Sequence, residues 1–296
     1  MKPERNILIA FILNLSFAIF EIIGGLWVGS TAILSDAVHD MGDAMSIGLS
    51  YLLERQSKRP SDETYTYGYG RYSTIGSFIT TSILLCGSVV AICNAFARIL
   101  RPIPIDYDGM ILLSVVGVSV NLCAAFFTRS KGSLNQKAVN LHMLEDVLGW
   151  IVVSIGAIVM RFTDLALIDP IMSFGVSLFI LIHALKHMKE ILRVFLEAVP
   201  HGMTVGEIAA RLHRIEGVTD IHHIHLWSID GQNHCATIHM VTDLRPHTAK
   251  MKARAILREC GIEHITIETE TTAETCQEAA CRICPAPHHH RHTHPH

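Results

Sequence analysis

Six stretches of the chain are apolar over about 20 residues, the length that spans a hydrocarbon core of about 30 Å as a helix. They run over residues 6–28, 32–53, 75–99, 109–128, 139–160 and 168–190. The second and fifth are the least uniform, because acidic residues and histidines interrupt them. From about Met203 the pattern changes. TVGEIAARLHRIEG places Thr204 and Glu207 at capping-box spacing and Gly217 at the end, which predicts a helix. VTDIHHIHLWSI and HCATIHMVT flank Asp230-Gly231-Gln232-Asn233, a hairpin signal. HTAKMKARAILREC before Gly261 reads as a second helix, and IEHITIETE alternates as a third strand. The expected architecture is a membrane α-helical bundle of six spans followed by a small α+β domain of order αββαβ. The divisions expected are 1–200 for the membrane domain, 201–271 for the soluble domain and 272–296 for a Cys/His-rich tail ending in HHHRHTHPH.

Composition supports this division. The 296 residues are 50% hydrophobic and 17% charged, too apolar for an ordinary soluble chain of that length. The net charge of −3 argues against nucleic acid as a partner. Basic residues favour one set of loops: Lys2 and Arg5, then Arg55, Lys58, Arg59 and Arg71, then Arg129, Lys131 and Lys137, then Lys186, Lys189 and Arg193. By the positive-inside rule both termini are cytoplasmic, and an even number of spans agrees with that. The compact loops suit a bacterial cytoplasmic (inner) membrane.

The polar residues inside the spans carry the candidate chemistry. An ionisable group at the bilayer centre costs roughly 2.5–3.5 kcal/mol on insertion scales. Yet ILSDAVHDMGDAMSIGL, residues 33–49, holds one histidine and several carboxylates. His39 and Asp43 are four residues apart and share a helix face. LHMLED repeats the spacing with His142 and Asp146. Two imidazoles and two carboxylates suit a tetrahedral zinc site. Cobalt, cadmium, manganese and iron remain chemically possible, whereas the lack of thiolates disfavours copper(I). Glu21 and Asp36 are candidates to line the route, with Asn121 in the fourth span as a further polar candidate, while Asp40 and Glu145 point to other faces. His183 and His187 share the i,i+4 spacing but lie beside Lys186 and Lys189, which predicts a solvated helix end.

Of the 19 histidines, all but His39, His142, His183 and His187 follow residue 200. His222 and His239 fall on the two hairpin strands, with His223 and His225 on the opposite face from His222. His264 and Glu270 share a face of the last strand, and Cys281 and Cys284 form a CxxC. A membrane metalloenzyme would need an open coordination position and a positioned base or nucleophile. No phosphate-cradling glycine loop or nucleophile elbow accompanies the ligands, so the chain does not read as an enzyme. A zinc sensor that transports nothing would not need the full tetrahedral inventory.

SDAVHDMGD, the second HxxxD in LHMLEDVLG, the Asp169-Pro170 step, GYGRYS and IHHIHLW together resemble the cation diffusion facilitator family, most closely its zinc-transporter branch. The resemblance implies a homodimer that exchanges cytosolic Zn2+ for protons, with six helices and a cytoplasmic metallochaperone-like (ferredoxin-like) domain. It implies that His39, Asp43, His142 and Asp146 are the transport site. It also implies regulatory metal ligands at His222, His239, His264 and Glu270, to which Cys281 and Cys284 could add thiolates. Many relatives carry a histidine where this chain has Gly70, so a second metal site in that loop is not expected here.

Overall fold

The computed structural model describes residues 3–28, 31–100, 107–129, 133–163 and 168–274. Within these, the side chains of 3–4, 24–28, 31–39, 98, 107–114, 153, 157, 160–161, 168–170, 172–173 and 176 are not described. The side chains of Asp36, His39 and Asp169 therefore lie outside the described residues, as do Cys281, Cys284 and the histidine tail.

Six long helices come first: α1 (Pro3–Val28), α2 (Thr31–Ser57), α3 (Arg71–Leu100), α4 (Tyr107–Thr128), α5 (Leu134–Thr163) and α6 (Ile168–Phe195). Several extend beyond the apolar stretches because hydropathy marks only what lipid must cover, whereas polar caps prolong the helix. α5 begins five residues before its apolar stretch: Ser133 accepts from Gln136 N at 3.2 Å through Oγ and from Lys137 N at 3.1 Å through its carbonyl. Among the described residues, Arg5–Ile23, Arg71–Ala97 and Leu134–Gly156 are long and apolar enough to cross a membrane.

The helices pack most extensively as the pairs α1 with α2, α4 with α5 and α3 with α6. One core joins Ile7 and Ala10 of α1, Ile47 of α2, Ala124 and Ala125 of α4, and Val139, Met143 and Val147 of α5. Polarity is inverted relative to a soluble bundle. Phe20, Leu52, Val90, Phe96, Phe126 and Phe162 are exposed, while Asn14, Glu21, Glu54, Asn121 and Asn135 are buried. A surface this apolar is at home only in lipid.

His187 corrects the expectation of a solvated helix end. It is buried, with Nε2 3.2 Å from Ser77 Oγ and Nδ1 3.7 Å from Glu190 Oε2. α3 covers that face of α6, so the histidine meets a serine where water was expected. His183 is half-buried, and its Nδ1 lies 2.9 Å from Phe179 O.

Among the described residues, a second compact unit comprises 197–228 and 233–274. Its elements are α7 (Val205–Leu212), β1 (Val218–Ser228), β2 (His234–Thr242), α8 (Pro246–Glu259) and β3 (Ile262–Glu270). Thr204 caps α7 by accepting from Glu207 N at 3.2 Å. The sheet order is β1-β2-β3, antiparallel in the first pair and parallel in the second, with α8 as the crossover. Ile208 and Leu212 of α7, Ile221 and Leu226 of β1, Ile238 and Met240 of β2, Leu257 of α8 and Ile267 of β3 form the core of one small α+β unit. Gly217, at φ +86°, makes the turn into β1 and lies against Leu244, where a Cβ would stand 2.8 Å from the leucine Cγ.

Gly117 lets α4 approach α5. A Cβ there would stand 2.5 Å from Trp150 Cδ2, and Trp150 packs edge-on against Phe17 of α1 at 5.7 Å between centroids. Gly117→Ala should therefore cost about 1–3 kcal/mol by overpacking against a rigid ring. The apparent melting temperature of the purified protein should fall, and Trp150→Leu in the same chain should restore part of the loss.

Candidate metal centre in the helix bundle

Asp43 lies on α2, with His142 and Asp146 on α5. Asp43 and His142 are each about 5% exposed. One ligand atom from each of the three residues lies within 4.8 Å of the others. His142 Nε2 stands 3.6 Å from Asp43 Oδ1, too long for a hydrogen bond. Metal–ligand bonds of about 2.0–2.1 Å imply tetrahedral edges of about 3.3 Å, so a small contraction would accommodate an ion. Neither ring nitrogen of His142 makes a hydrogen bond among the described residues. A buried imidazole left in that state carries a desolvation cost that a bound cation would remove. His39 lies on the α2 backbone one turn before Asp43.

The other polar residues divide. Glu145 approaches the site, with Oε2 3.9 Å from His142 Nδ1, although helix spacing assigned it to another face. Glu21 is fully buried on α1. Asn121 donates from Nδ2 to Gly117 O of its own helix at 3.2 Å, which satisfies one amide hydrogen locally.

Sequence reasoning passed over Asn14. It is buried, and its Oδ1 has no hydrogen-bond partner among the described residues. Ala10, Ile47 and Met143 belong to one apolar cluster; Asn14 and Asp146 come one helical turn after the cluster residues of α1 and α5, and Asp43 one turn before Ile47 of α2. The spacing Asn6, Asn14, Glu21 along one face of α1 was the available signal.

In the second unit, Glu270 bridges two histidines: Oε1 lies 2.8 Å from His239 Nδ1 and Oε2 3.4 Å from His222 Nε2. Asp220 Oδ2 is 3.1 Å from His222 Nδ1, and Glu268 Oε2 is 3.4 Å from His239 Nε2. The trio His222, His239 and Glu270 offers ligand atoms within 4.8 Å of one another. His223 departs from the alternation expected of a strand. The β1 register shifts between His222 and His225, and His223 takes φ +48°. This bulge brings the His223 ring to 5.0 Å from that of His239. His264 stands apart: it pairs with Cys235 across the parallel ladder, while His239 pairs with Glu268. Four residues of strand separate the two levels, about 13 Å.

The α2–α3 loop, which carries Gly70, is fastened by the Asp62 carboxylate. Asp62 accepts from Tyr69 Oη at 2.5 Å and from the backbone N–H of Tyr65 at 2.8 Å and of Thr64 at 2.9 Å. The Tyr69 hydroxyl holds the Asp62 carboxyl below the usual carboxylate range, and the same bond raises the tyrosine.

The helical unit matches the cation efflux transmembrane domain over residues 7–196. The chain thus belongs to the cation diffusion facilitator (cation efflux) family, in its zinc-transporter branch, and is an integral membrane transporter. It is 32% identical to the zinc transporter ZitB of Yersinia pestis, covering 98% of this chain and 96% of that protein. It is 28% identical to the cadmium, cobalt and zinc/H(+)-K(+) antiporter of Bacillus subtilis, over 93% and 92% of the two chains. It is 29% identical to the metal cation efflux system protein CzcD of Cupriavidus metallidurans, over 93% and 89%.

Proposed function

We propose that the chain is a zinc/proton antiporter that exports cytosolic Zn2+ by alternating access. The ion is held by His39, Asp43, His142 and Asp146 of the six-span domain, residues 1–200. The observation that carries this reading is the convergence of Asp43, His142 and Asp146, the first two buried, with His142 making no hydrogen bond among the described residues. An imidazole must be neutral and a carboxylate ionised to bind the metal, so protons and zinc compete for the same atoms. Histidine changes charge near pH 6.5, close enough to physiological pH for a modest gradient to drive exchange. Protons arriving from outside displace the ion there, and the cytosolic side reloads the site. Glu21 and Asp36 line the route, with Asn121 as a polar neighbour.

Both termini face the cytoplasm, in a bacterial inner membrane, and the protein works as a homodimer. Residues 201–271 form a cytoplasmic metal-sensing and dimerisation domain, in which His222, His239 and Glu270 bind regulatory zinc. His264, Cys281 and Cys284 are further candidates there, supplying ligands across the dimer. The names of the relatives support zinc and protons, and the B. subtilis protein's name supports cadmium and cobalt as further cargo.

Proteoliposomes with an acidic lumen should take up zinc, and the uptake should collapse when the pH gradient is dissipated. Asp43→Ala and Asp146→Ala should each reduce it by more than about tenfold, since losing even a ligand's hydrogen-bond partner costs about 10–100-fold in affinity. Flux indifferent to the gradient would remove the antiport mechanism. For the sensing domain, His239→Ala should lose one zinc ion per chain in an equilibrium titration of the purified protein. An unchanged stoichiometry would leave the trio as a hydrogen-bonded cluster only.

A further inference from the structure

The C-terminal end of α2 meets the N-terminal ends of α3 and α5 around one fully buried carboxylate, Glu54. Its Oε2 accepts from Ser73 Oγ of α3 at 2.6 Å, from Ser133 Oγ at the start of α5 at 2.9 Å, and from Asn135 Nδ2 of α5 at 3.4 Å. Its Oε1 lies 3.2 Å from Lys58 Nζ one turn along α2, and that lysine is half exposed. The cluster extends inward. Asn135 Nδ2 also donates to Ser50 O at 2.8 Å, and Ser50 Oγ pairs with Thr80 Oγ1 of α3 at 2.5 Å. Asn135 is wedged against Gly76, where a Cβ would stand 2.9 Å from its Oδ1.

The position of this carboxylate matters more than its bonds taken singly. Asp43, Ile47, Ser50 and Glu54 are all buried and follow one face of α2 at helical spacing. Eleven residues separate Asp43 from Glu54, about 16 Å along the helix. On α5, Asn135, Val139, His142 and Asp146 keep the same face. Between the two polar layers lie Ile47, Val139 and Met143, fully buried in one apolar cluster. The bundle is closed at this end in two parts: an apolar plug next to the metal layer, and a charged fastening beyond it. An ion moving between the metal layer and this end must part the plug, which requires α2 to separate from α5. The bonds of Glu54 oppose that separation, and they cross between helix pairs that otherwise pack most tightly within themselves.

We propose that Glu54 is an ionic latch, a positioning residue that holds this end of the transport path shut and is released to water each time the path opens there. The inference rests on the transport reading above. A carboxylate suits the role better than an apolar side chain. Closed, it is held by three donors; open, water solvates it; half-open, it has neither. That gives two discrete states with a barrier between them. The partners that cross from α3 and α5 are neutral donors, and a hydrogen bond to an ionised carboxylate is roughly twice as strong as one between neutral groups. A glutamine keeps the size and loses the charge, so each accepted bond weakens and the open state gains population.

The test reads accessibility and transport together. Val139→Cys is introduced into the plug, and its modification by a membrane-impermeant maleimide added on the side of the basic loops is quantified on its own peptide by mass spectrometry. Glu54→Gln should raise the labelling rate about tenfold, lower the half-saturating zinc concentration offered from that side, and lower the maximal rate. Ser73→Ala keeps the carboxylate and two of its donors, and should move all three readings the same way by less. It serves as the test if Glu54→Gln does not fold. Labelling unchanged in both variants overturns the latch. So does a loss of flux with labelling and half-saturation unchanged, which would make Glu54 merely structural. Faster labelling in a parent chain that moves no zinc would uphold the latch and overturn the transport reading.

Discussion

A charge placed in hydrocarbon must find its partners inside the protein, and most of this bundle follows from that requirement. Asp43, His142, Asp146, Glu21, Glu54 and His187 all sit on helices whose outer faces are apolar. Two solutions coexist. Glu54 and His187 are satisfied by serines and neighbouring charges from adjacent helices. His142 makes no hydrogen bond among the described residues, and it lies within ligand reach of Asp43 and Asp146. The contrast separates polar groups held by neighbouring side chains from a buried imidazole within ligand reach of two carboxylates.

Burial sets the chemistry of the metal layer. At 5% exposure, an aspartate and an imidazole are largely shielded from bulk water, which strengthens their interaction with a cation. The same shielding makes an empty, charged site costly, so the site favours being filled by either metal or protons. The plug of Ile47, Val139 and Met143 keeps water from one side, and the Glu54 cluster controls whether that plug can part. Gly117 and Trp150 act on the same element: Trp150 lies one turn beyond Asp146 on α5, so the notch that receives it helps set where the α5 ligands stand.

Much of this was legible in the sequence, for reasons that particular residues make clear. The six apolar stretches announced six helices, and helical periodicity alone puts His142 and Asp146 on one side of α5, where Asp43 of α2 approaches them. The hairpin was marked by Asp230-Gly231 and the end of α8 by Gly261, whereas α7 stops at Leu212, five residues before Gly217, which makes the turn into β1. What stayed hidden depends on tertiary packing. Nothing in the i,i+4 pair His183 and His187 says that Ser77 of α3 will cover one of them. His223 was assigned to the wrong face because strand alternation assumes no bulge, and this strand has one at the histidine run. Glu54 stands at the polar end of an apolar stretch and reads as an ordinary helix terminus until Ser73 and Ser133 close over it. His264 shares parity with Glu270 but not its level, since parity fixes the face of a strand and only the register fixes the height.

The central claim is that Asp43, His142 and Asp146, with His39, hold the transported ion. It is tested by zinc X-ray absorption on a purified chain ending at residue 274 with His222, His239, His264 and Glu270 replaced by Ala, which removes the other candidate ligands. The account predicts one zinc per chain with nitrogen and oxygen neighbours at about 2.0–2.1 Å and imidazole scattering, all lost on Asp43→Ala. The same spectrum and stoichiometry retained after Asp43→Ala would contradict it.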